Sequence, residues 1–248
     1  MLWDHDKVKT IWEALKTDVE YDWSLKTKKG KEKKSAIRLA NILEIDSICN
    51  SNMLEGDLSS ALELRRTIRS RLLMSDAVSK FKILNWIVSD WGGIRKGEAQ
   101  VAVWASELDL MSNLEISSFV AKLGTDRISS WSKILAFFDH ENHAIYDSRT
   151  SIALNCAMMR RNILPKFFMP MAQNSNRRPE LAQAKSMIKS RFGSFEFGYF
   201  EYLDYLKSVV SLGLAPSLIS AERSIFAGAR ETAKCFLVEF PNITIGRK

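Results

Sequence analysis

Cysteine is scarce in this chain of 248 residues, which has only Cys49, Cys156 and Cys235. No two of them have the CxxC spacing of a zinc or redox site, and no histidine stands at a metal-ligand offset from them. These observations argue against a disulfide-rich fold and against a zinc site built on the cysteines. All three cysteines lie in apolar stretches, so we expect buried free thiols and a cytoplasmic protein.

Long apolar runs are also missing. No stretch approaches the roughly 20 apolar residues that are needed to cross a bilayer. The first residues, Met1–Asp6, lack the apolar core of a signal peptide. We therefore expect no membrane partner.

The signatures of several enzyme classes are absent as well. The chain has no P-loop, no GxGxxG after a strand, no HExxH and no GxSxG elbow. His140 and His143 stand three residues apart, but a solvated turn explains them better than a metal site. Strand alternation is absent beyond Ile243–Ile245, which argues against enzymes built on a central sheet.

Helical periodicity fills the chain instead. Apolar residues recur at steps of three and four from the N-terminus to about residue 239, which predicts an all-α fold of roughly 10–13 helices. Gly124 is the expected residue after the helix 113–123, and Ser129 or Ser130 is the expected N-cap of the next helix. Other predicted helices span 76–91, 98–111, 179–191, 216–228 and 229–239.

Positive charge is in excess, since 36 Lys and Arg against 29 Asp and Glu give a net charge of +7. Such a balance favours nucleic acid or another anionic partner. A lysine run within residues 26–34 is either a solvated loop or a phosphate-contacting loop. A basic stripe on the helix after Asp57 could also meet phosphates: Arg65, Arg66, Arg69 and Arg71.

Two loops carry cations beside residues that break helices. The loop Trp91–Gly97 has three glycines, so it is either a tight interhelical connection or a backbone laid against a nucleic-acid strand. The stretch 173–179 is polar and reads as an exposed loop. The nucleic-acid-binding candidates in these loops are Gly92, Gly93, Arg95, Lys96, Arg177 and Arg178.

The chain is organised around residues 131–149. An apolar helix ends in the polar turn Asp139–His143, and a short apolar approach then leads to Asp147, where a helix N-cap is expected. A structural N-cap contributes about 1 kcal/mol and is the simplest role for this aspartate. A catalytic role is compatible with it, because a helix N-terminus favours a negative charge.

Two motifs in this region carry a resemblance to a known family. They are Ser132-Lys-Ile-Leu-Ala-Phe-Phe138 and Ala144-Ile-Tyr-Asp-Ser-Arg-Thr150, in a segment that begins at Gly124 and ends at Leu154. This segment resembles the catalytic core of the helix-hairpin-helix DNA glycosylases. It is most similar to the oxoguanine-glycosylase-like branch and to bacterial anti-phage glycosylases that remove modified bases from phage DNA. The family hairpin is usually Gly-x-Gly, whereas this chain has Gly124 alone.

The resemblance implies a two-lobed α-helical fold over residues 1–248. The central lobe would cover about 57–140 with the hairpin at 113–140, and the second lobe would cover about 1–56 plus 141–248. The implied partner is double-stranded DNA, including phage DNA with modified bases, and the implied state is a monomer. The target nucleotide would be flipped into a pocket between the lobes. No cofactor is implied, because the four-cysteine iron–sulfur set of some relatives is absent.

The family mechanism assigns roles to a few residues. Asp147 would stabilise the positive charge that develops on the deoxyribose and would orient or deprotonate the nucleophile. Lys133 is the second catalytic candidate, because bifunctional relatives attack the sugar with a lysine. Its spacing of 14 residues before Asp147 is shorter than the family's, and a surface lysine or phosphate contact is the simpler interpretation. A monofunctional enzyme that uses water is therefore favoured.

The resemblance also implies residues that bind the flipped base and the DNA. Aromatic rings would hold the flipped base, and an arginine beside the catalytic carboxylate would pair with it or with a phosphate. The predicted substrate-binding residues are Tyr146, Trp91, Trp131 and Arg149, and the hairpin residues predicted to bind DNA are Arg127, Ser129 and Ser130. Two alternatives stay open: a non-catalytic helical nucleic-acid-binding protein, and a protein-interaction module without a basic cleft.

Overall fold

The computed structural model describes residues 3–18, 38–39, 41–42, 58–94, 98–108, 113–170, 178–193, 195 and 198–241. These ranges contain ten α-helices, one π-helical segment and no strand, which confirms the all-α prediction. The α-helices are α1 (His5–Ala14), α2 (Leu58–Met74), α3 (Ala77–Asn85), α4 (Glu98–Leu108), α5 (Asn113–Leu123), α6 (Ile128–Phe138), α7 (Ser148–Arg160), α8 (Pro179–Phe192), α9 (Tyr199–Ser211) and α10 (Leu218–Glu239). The short strand-like alternation at 243–245 lies outside the described residues.

The chain divides into two compact units. Unit 1 comprises residues 1–21 and 144–248, and unit 2 comprises residues 22–143. The boundary near residue 143 falls inside the stretch that joins α6 to α7. The lobe bounds expected from the family resemblance stay a prediction.

Helix α7 forms the centre of unit 1. Every residue from Thr150 to Met159 is buried, and the helix packs against α1, α8 and α10. Small side chains such as Ser151, Ala153 and Ala157 let neighbouring helices approach it from several sides. Its buried amide, Asn155, accepts hydrogen bonds from two backbone N–H groups of residues 166–167 and donates to the Phe167 carbonyl. Asp147 therefore stands at the N-terminal end of the most buried helix of the unit.

The C-terminal region is one helix of 22 residues, α10, and not the two short helices predicted. The predicted break fell at Gly228, since glycine weakens a helix interior. In the structure this glycine meets the backbone at the end of the α1 region, where a Cβ would lie 1.7 Å from the Lys16 carbonyl oxygen. The residue is needed for close packing between helices, which the local pattern does not reveal.

Helix α6 forms the centre of unit 2. Its residues from Ser130 to Phe137 are all buried, and it packs against α2 and the π-helical segment Trp86–Trp91. The single helix predicted for 76–91 is thus α-helical to Asn85 and π-helical beyond it. Residues 83–88 are all buried, so the core contact continues from the α-helical part into the π-helical part.

The hairpin between α5 and α6 differs from its prediction at one end. Gly124 follows α5 with the expected positive φ of 53°. However, neither Ser129 nor Ser130 is the N-cap, because α6 begins at Ile128 and Arg127 occupies that position with a φ of 48°. The carbonyl of Arg127 already accepts from the N–H groups of Ser130 and Trp131, so the helical hydrogen bonds start earlier than the serines suggest.

The described residues bear on two predictions, which concern membrane-spanning helices and the burial of the cysteines. None of their helices is long and apolar enough to cross a membrane. Cys156 is buried as predicted, and burial raises the pKa of its thiol. The prediction is wrong for Cys235, which is partly exposed near the end of α10. Cys49 lies outside the described residues.

Candidate functional site

Asp147 caps the N-terminus of α7, as its position predicts. Its backbone is extended, and its Oδ1 atom accepts hydrogen bonds from the N–H groups of Arg149 at 2.8 Å and Thr150 at 3.0 Å. The hydroxyl of Thr150 donates to the same oxygen at 3.2 Å. One carboxylate oxygen thus satisfies two of the helix amides that have no partner within the helix.

The second oxygen of Asp147 is left for other interactions. In the described part of the chain, every hydrogen bond to this carboxylate ends on Oδ1. The side chain is half-buried, so it is neither sealed in the core nor fully hydrated. The first turn of α7 contributes a positive potential at this position. The arrangement fixes the orientation of the carboxylate through one of its two oxygens.

The backbone of Ala144 and Ile145, shortly before Asp147, is held by side chains from α9 and α10. The N–H of Ile145 donates to Oε2 of Glu222 at 2.8 Å, and its carbonyl accepts from the hydroxyl of Tyr202 at 3.0 Å. The hydroxyl of Tyr199 donates to the carbonyl of Ala144 at 3.2 Å. Burial, and then the charges of Glu222 and Asp147, raise the pKa of Tyr202, which keeps its hydroxyl a donor.

Glu222 was not among the residues singled out from the sequence. It is 5% exposed and lies on the buried face of α10 with Leu218, Ile225 and Ala229. A carboxylate in the middle of an apolar helical face is rare unless it has a partner. That break in the pattern is the signal that could have found it.

Tyr146, a predicted substrate-binding residue, is a core residue in this structure. Its side chain is 0% exposed, and its hydroxyl donates to the carbonyl of Phe168 at 2.6 Å. Its ring packs edge-on against Tyr202, with the ring centroids 5.2 Å apart. The burial raises the pKa of the hydroxyl, so it stays protonated and serves as a donor to the backbone.

Arg149, the other predicted substrate contact in unit 1, lies over an aromatic ring. Its guanidinium carbon is 4.2 Å from the centroid of Phe226, and both side chains are partly exposed. Phe226 lies one helical turn after Glu222, so both belong to the face of α10 that meets the start of α7. The structure thus brings Asp147, Arg149, Glu222 and Phe226 into one region of unit 1, and the sequence pattern had indicated Phe226 only as a core residue.

Lys133, the second catalytic candidate, belongs to unit 2 and is 8% exposed. Its Nζ donates to the carbonyl of Ser129 at 2.6 Å. Its aliphatic stem lies against Gly92, where an added Cβ would be 2.9 Å from the Lys133 Cδ. The lysine therefore fills space beside the glycine and returns its ammonium to the backbone of α6.

The aromatic candidates of unit 2 are packed against their own unit. Trp131 is fully buried and donates from its indole nitrogen to the carbonyl of Asp126 at 2.9 Å. Trp91 is partly exposed and packs edge-on against Phe137, with the centroids 4.9 Å apart. The substrate-binding role of these two residues stays a prediction.

The candidates for DNA contact differ in exposure. Arg127 and Gly93 are exposed, whereas Ser130 is buried. Ser129, Gly92 and Arg178 are partly exposed, and Arg178 directly precedes Pro179, which opens α8 as predicted. The remaining candidates, Arg95, Lys96 and Arg177, lie outside the described residues, as does the basic run 26–34.

One member of the predicted basic stripe on α2 turns inward. Arg65 is buried, and its guanidinium carbon lies 5.5 Å from the centroid of the Phe137 ring. Arg66 is exposed, and Arg69 and Arg71 are partly exposed. The stripe is therefore narrower than its helical spacing suggests, because one of its four arginines is used to pack α2 against α6.

No metal centre can be assembled from the described residues. Among them, no group of three or more His, Cys, Asp or Glu is placed to hold a metal ion.

Comparison with known proteins finds no match to this chain among family models, curated proteins or solved structures.

Proposed function

We propose that the protein is a DNA N-glycosylase that hydrolyses the bond between deoxyribose and a flipped-out modified or damaged base. The observation that carries the proposal is the Asp147 carboxylate, which is fixed through Oδ1 at the start of α7 while Oδ2 has no bond among the described residues. The likeness of residues 124–154 to the glycosylase core supports the assignment. The net charge of +7 suits a polyanionic partner.

The proposed role of Asp147 is electrostatic stabilisation of the transition state. Breaking the N-glycosidic bond leaves positive charge on the sugar, and a nearby carboxylate lowers the energy of that state. Opposite charges about 4 Å apart attract by about 4 kcal/mol at an effective dielectric constant of ~20. If this attraction is specific to the transition state, it accelerates the reaction by about three powers of ten. Because the orientation of the carboxylate is fixed in advance, little of this gain is lost to reorganisation.

Water is the proposed nucleophile. A lysine nucleophile needs an accessible, unprotonated amine. The amine of Lys133 is buried and donates to the Ser129 carbonyl, which disfavours attack on a sugar. The proposal is therefore a monofunctional glycosylase, in which Oδ2 of Asp147 orients or deprotonates a water molecule.

The test compares the wild type with Asp147→Asn on duplexes that carry oxidised guanine or bulky modified cytosine, on unmodified duplexes, and on a panel of phage DNAs. Asparagine caps a helix nearly as well as aspartate, so the fold is expected to persist. We expect abasic sites from the wild type on at least one modified substrate, and a rate at least about 100-fold lower for the variant. Asp4→Asn makes the same change at the N-cap of α1 in the same unit and should not change the rate.

Two outcomes would reject the catalytic assignment. One is equal production of abasic sites by the wild type and Asp147→Asn, and the other is no base release on any substrate. Duplex binding without base release would instead favour the non-catalytic nucleic-acid-binding alternative. Sodium borohydride trapping of a protein–DNA adduct would show that an amine attacks the sugar and would overturn the monofunctional part of the proposal.

A further inference from the structure

The segment that delivers Asp147 to its position has an unusual support. Glu222 is a carboxylate at a buried position of α10, and its Oε2 accepts the N–H of Ile145 at 2.8 Å. Burying a carboxylate is costly, and a neutral side chain could accept the same hydrogen bond at a lower cost. The Ile145 amide, two residues before Asp147, therefore has a strong acceptor for its hydrogen bond.

The other polar groups of this approach are held in the same way. Tyr202 donates to the carbonyl of Ile145, and Tyr199 donates to the carbonyl of Ala144. Both groups of Ile145 are therefore fixed by side chains, one from α10 and one from α9. On the other side of Asp147, the cap bonds to Arg149 and Thr150 fix its carboxylate.

We infer that Glu222 is a positioning residue, which holds the backbone before Asp147 so that the catalytic carboxylate keeps one orientation. The inference rests on the proposed glycosylase function, and Tyr202 has the same role from the opposite side of Ile145. A displacement of about 1 Å in a catalytic group can reduce a rate by about 100-fold. Glu222 acts through the main chain and does not contact the substrate.

The experiment uses the full chain with Glu222→Ala, Glu222→Gln and Tyr202→Phe. Tyr205→Phe is the matched control, because Tyr205 lies on the same helix and its buried hydroxyl has no hydrogen-bond partner among the described residues. Two quantities are measured: amide hydrogen exchange at Ile145, Arg149 and Thr150 by NMR, and the single-turnover rate of base release at saturating DNA. Duplex affinity is measured alongside.

We expect Glu222→Ala to accelerate exchange at the three amides at least about tenfold and to lower the single-turnover rate by about 10–100-fold. Duplex affinity should stay within about twofold, since the residue does not contact DNA. Glutamine offers an acceptor oxygen in the same place, so Glu222→Gln should restore both quantities to within about threefold of the wild type. Tyr202→Phe should change them in the same direction as alanine at 222, and Tyr205→Phe should change neither.

Wild-type exchange and rate in folded Glu222→Ala would overturn the inference, and so would a Glu222→Gln protein as impaired as Glu222→Ala. If Glu222→Ala does not fold, Tyr202→Phe decides the question, because it removes a single oxygen. The failure of the proposed function has a different signature, namely a wild type that releases no base from any duplex. Amide exchange would still decide in that case whether Glu222 holds Asp147 in place.

Discussion

Two neighbouring regions, Asp139–His143 and Ala144–Asp147, handle buried polar groups in opposite ways. The second region belongs to unit 1, and its backbone is paired with the side chains of Glu222, Tyr199 and Tyr202. The first belongs to unit 2 and buries two polar atoms, Oδ1 of Asp139 and Nδ1 of His140, that have no hydrogen-bond partner among the described residues. The boundary between the units lies between the two regions.

The difference shows which region is suited to hold a catalytic group. An unpaired buried polar group costs about 1–3 kcal/mol, whereas a paired one is stabilising by about 1 kcal/mol. Paired groups also fix one geometry, which a catalytic carboxylate requires. In the polar turn 139–143, Oδ1 of Asp139 and Nδ1 of His140 have no hydrogen-bond partner among the described residues, whereas the backbone before Asp147 is paired.

The largest expected effect lies in unit 1, where a buried amide is fully paired. Asn155→Ala would leave the backbone groups of residues 166–167 without three hydrogen bonds and would open a cavity. We expect a loss of about 3–5 kcal/mol in the free energy of unfolding, measured by urea denaturation. Gln183→Ala, which removes an exposed amide from α8, should cost less than about 0.5 kcal/mol. Similar losses for both variants would contradict the comparison.

The next effect contrasts two tyrosines of α9. Tyr202→Phe should lower the free energy of unfolding by about 1–3 kcal/mol, because the Ile145 carbonyl loses its donor in a buried place. Tyr205→Phe should leave it within about 0.5 kcal/mol of the wild type or raise it, since the Tyr205 hydroxyl is buried without a partner among the described residues. Thermal and urea denaturation of the two variants measure the difference. An equal loss in the free energy of unfolding would contradict the distinction between paired and unpaired hydroxyls.

The burial of His140 should appear in the pH dependence of stability. Burial, followed by the charge of Arg65, lowers the pKa of His140 below its ordinary value of 6.5. The unfolded chain therefore binds a proton more readily than the folded protein as the pH falls through 6.5, and the stability contribution present above that pH is lost below it. Urea unfolding of the wild type and His140→Gln at pH about 7.5 and about 5.5 should show a smaller loss on acidification in the variant.

An exposed, non-titratable side chain supplies the control for this measurement. Gln183→Ala removes such a side chain from α8 and should leave the pH dependence of stability as it is in the wild type. An unchanged pH dependence in His140→Gln would mean that the turn 139–143 does not respond to protonation of this residue.

The smallest effect is expected at Asp139. Its Oδ2 accepts from the side-chain amide of Asn142 at 2.9 Å, while Oδ1 is buried without a partner among the described residues. Asp139→Asn keeps one acceptor and removes a buried charge, so the free energy of unfolding should change by less than about 1 kcal/mol, towards higher stability. A loss above about 1.5 kcal/mol in urea denaturation would show that the unpaired oxygen has a stabilising role.

Local features of the candidate site were predictable because they depend on near neighbours in the chain. Asp147 is recognisable as an N-cap since the residues that it caps are only two and three positions away. Pro179 at the start of α8 is recognisable for the same reason. The prediction of Ser129 or Ser130 as a cap was wrong because Arg127 adopts a left-handed conformation that its residue type seldom signals.

Contacts between residues far apart in the chain were not predictable in this way. Glu222 is separated from Ile145 by 77 positions, so its place on an apolar helical face indicates a buried carboxylate but does not identify Ile145 as its partner. Gly228 looked like a helix break because its contact, the Lys16 backbone, lies at the other end of the chain. Phe226 was predicted as a core residue, but its contact with Arg149 was not, since Arg149 belongs to a different helix.

The sequence alone therefore determined the helical class, the position of most helices and the acidic cap before α7, because these depend on periodicity and on interactions within a single turn. The tertiary structure decided which polar side chains are buried with partners and which arginine of α2, Arg65, packs inward. It also decided that α10 continues through Gly228. Those outcomes depend on which helices meet. Long-range packing and the low dielectric of the core set them, and neither leaves a local signature in the chain.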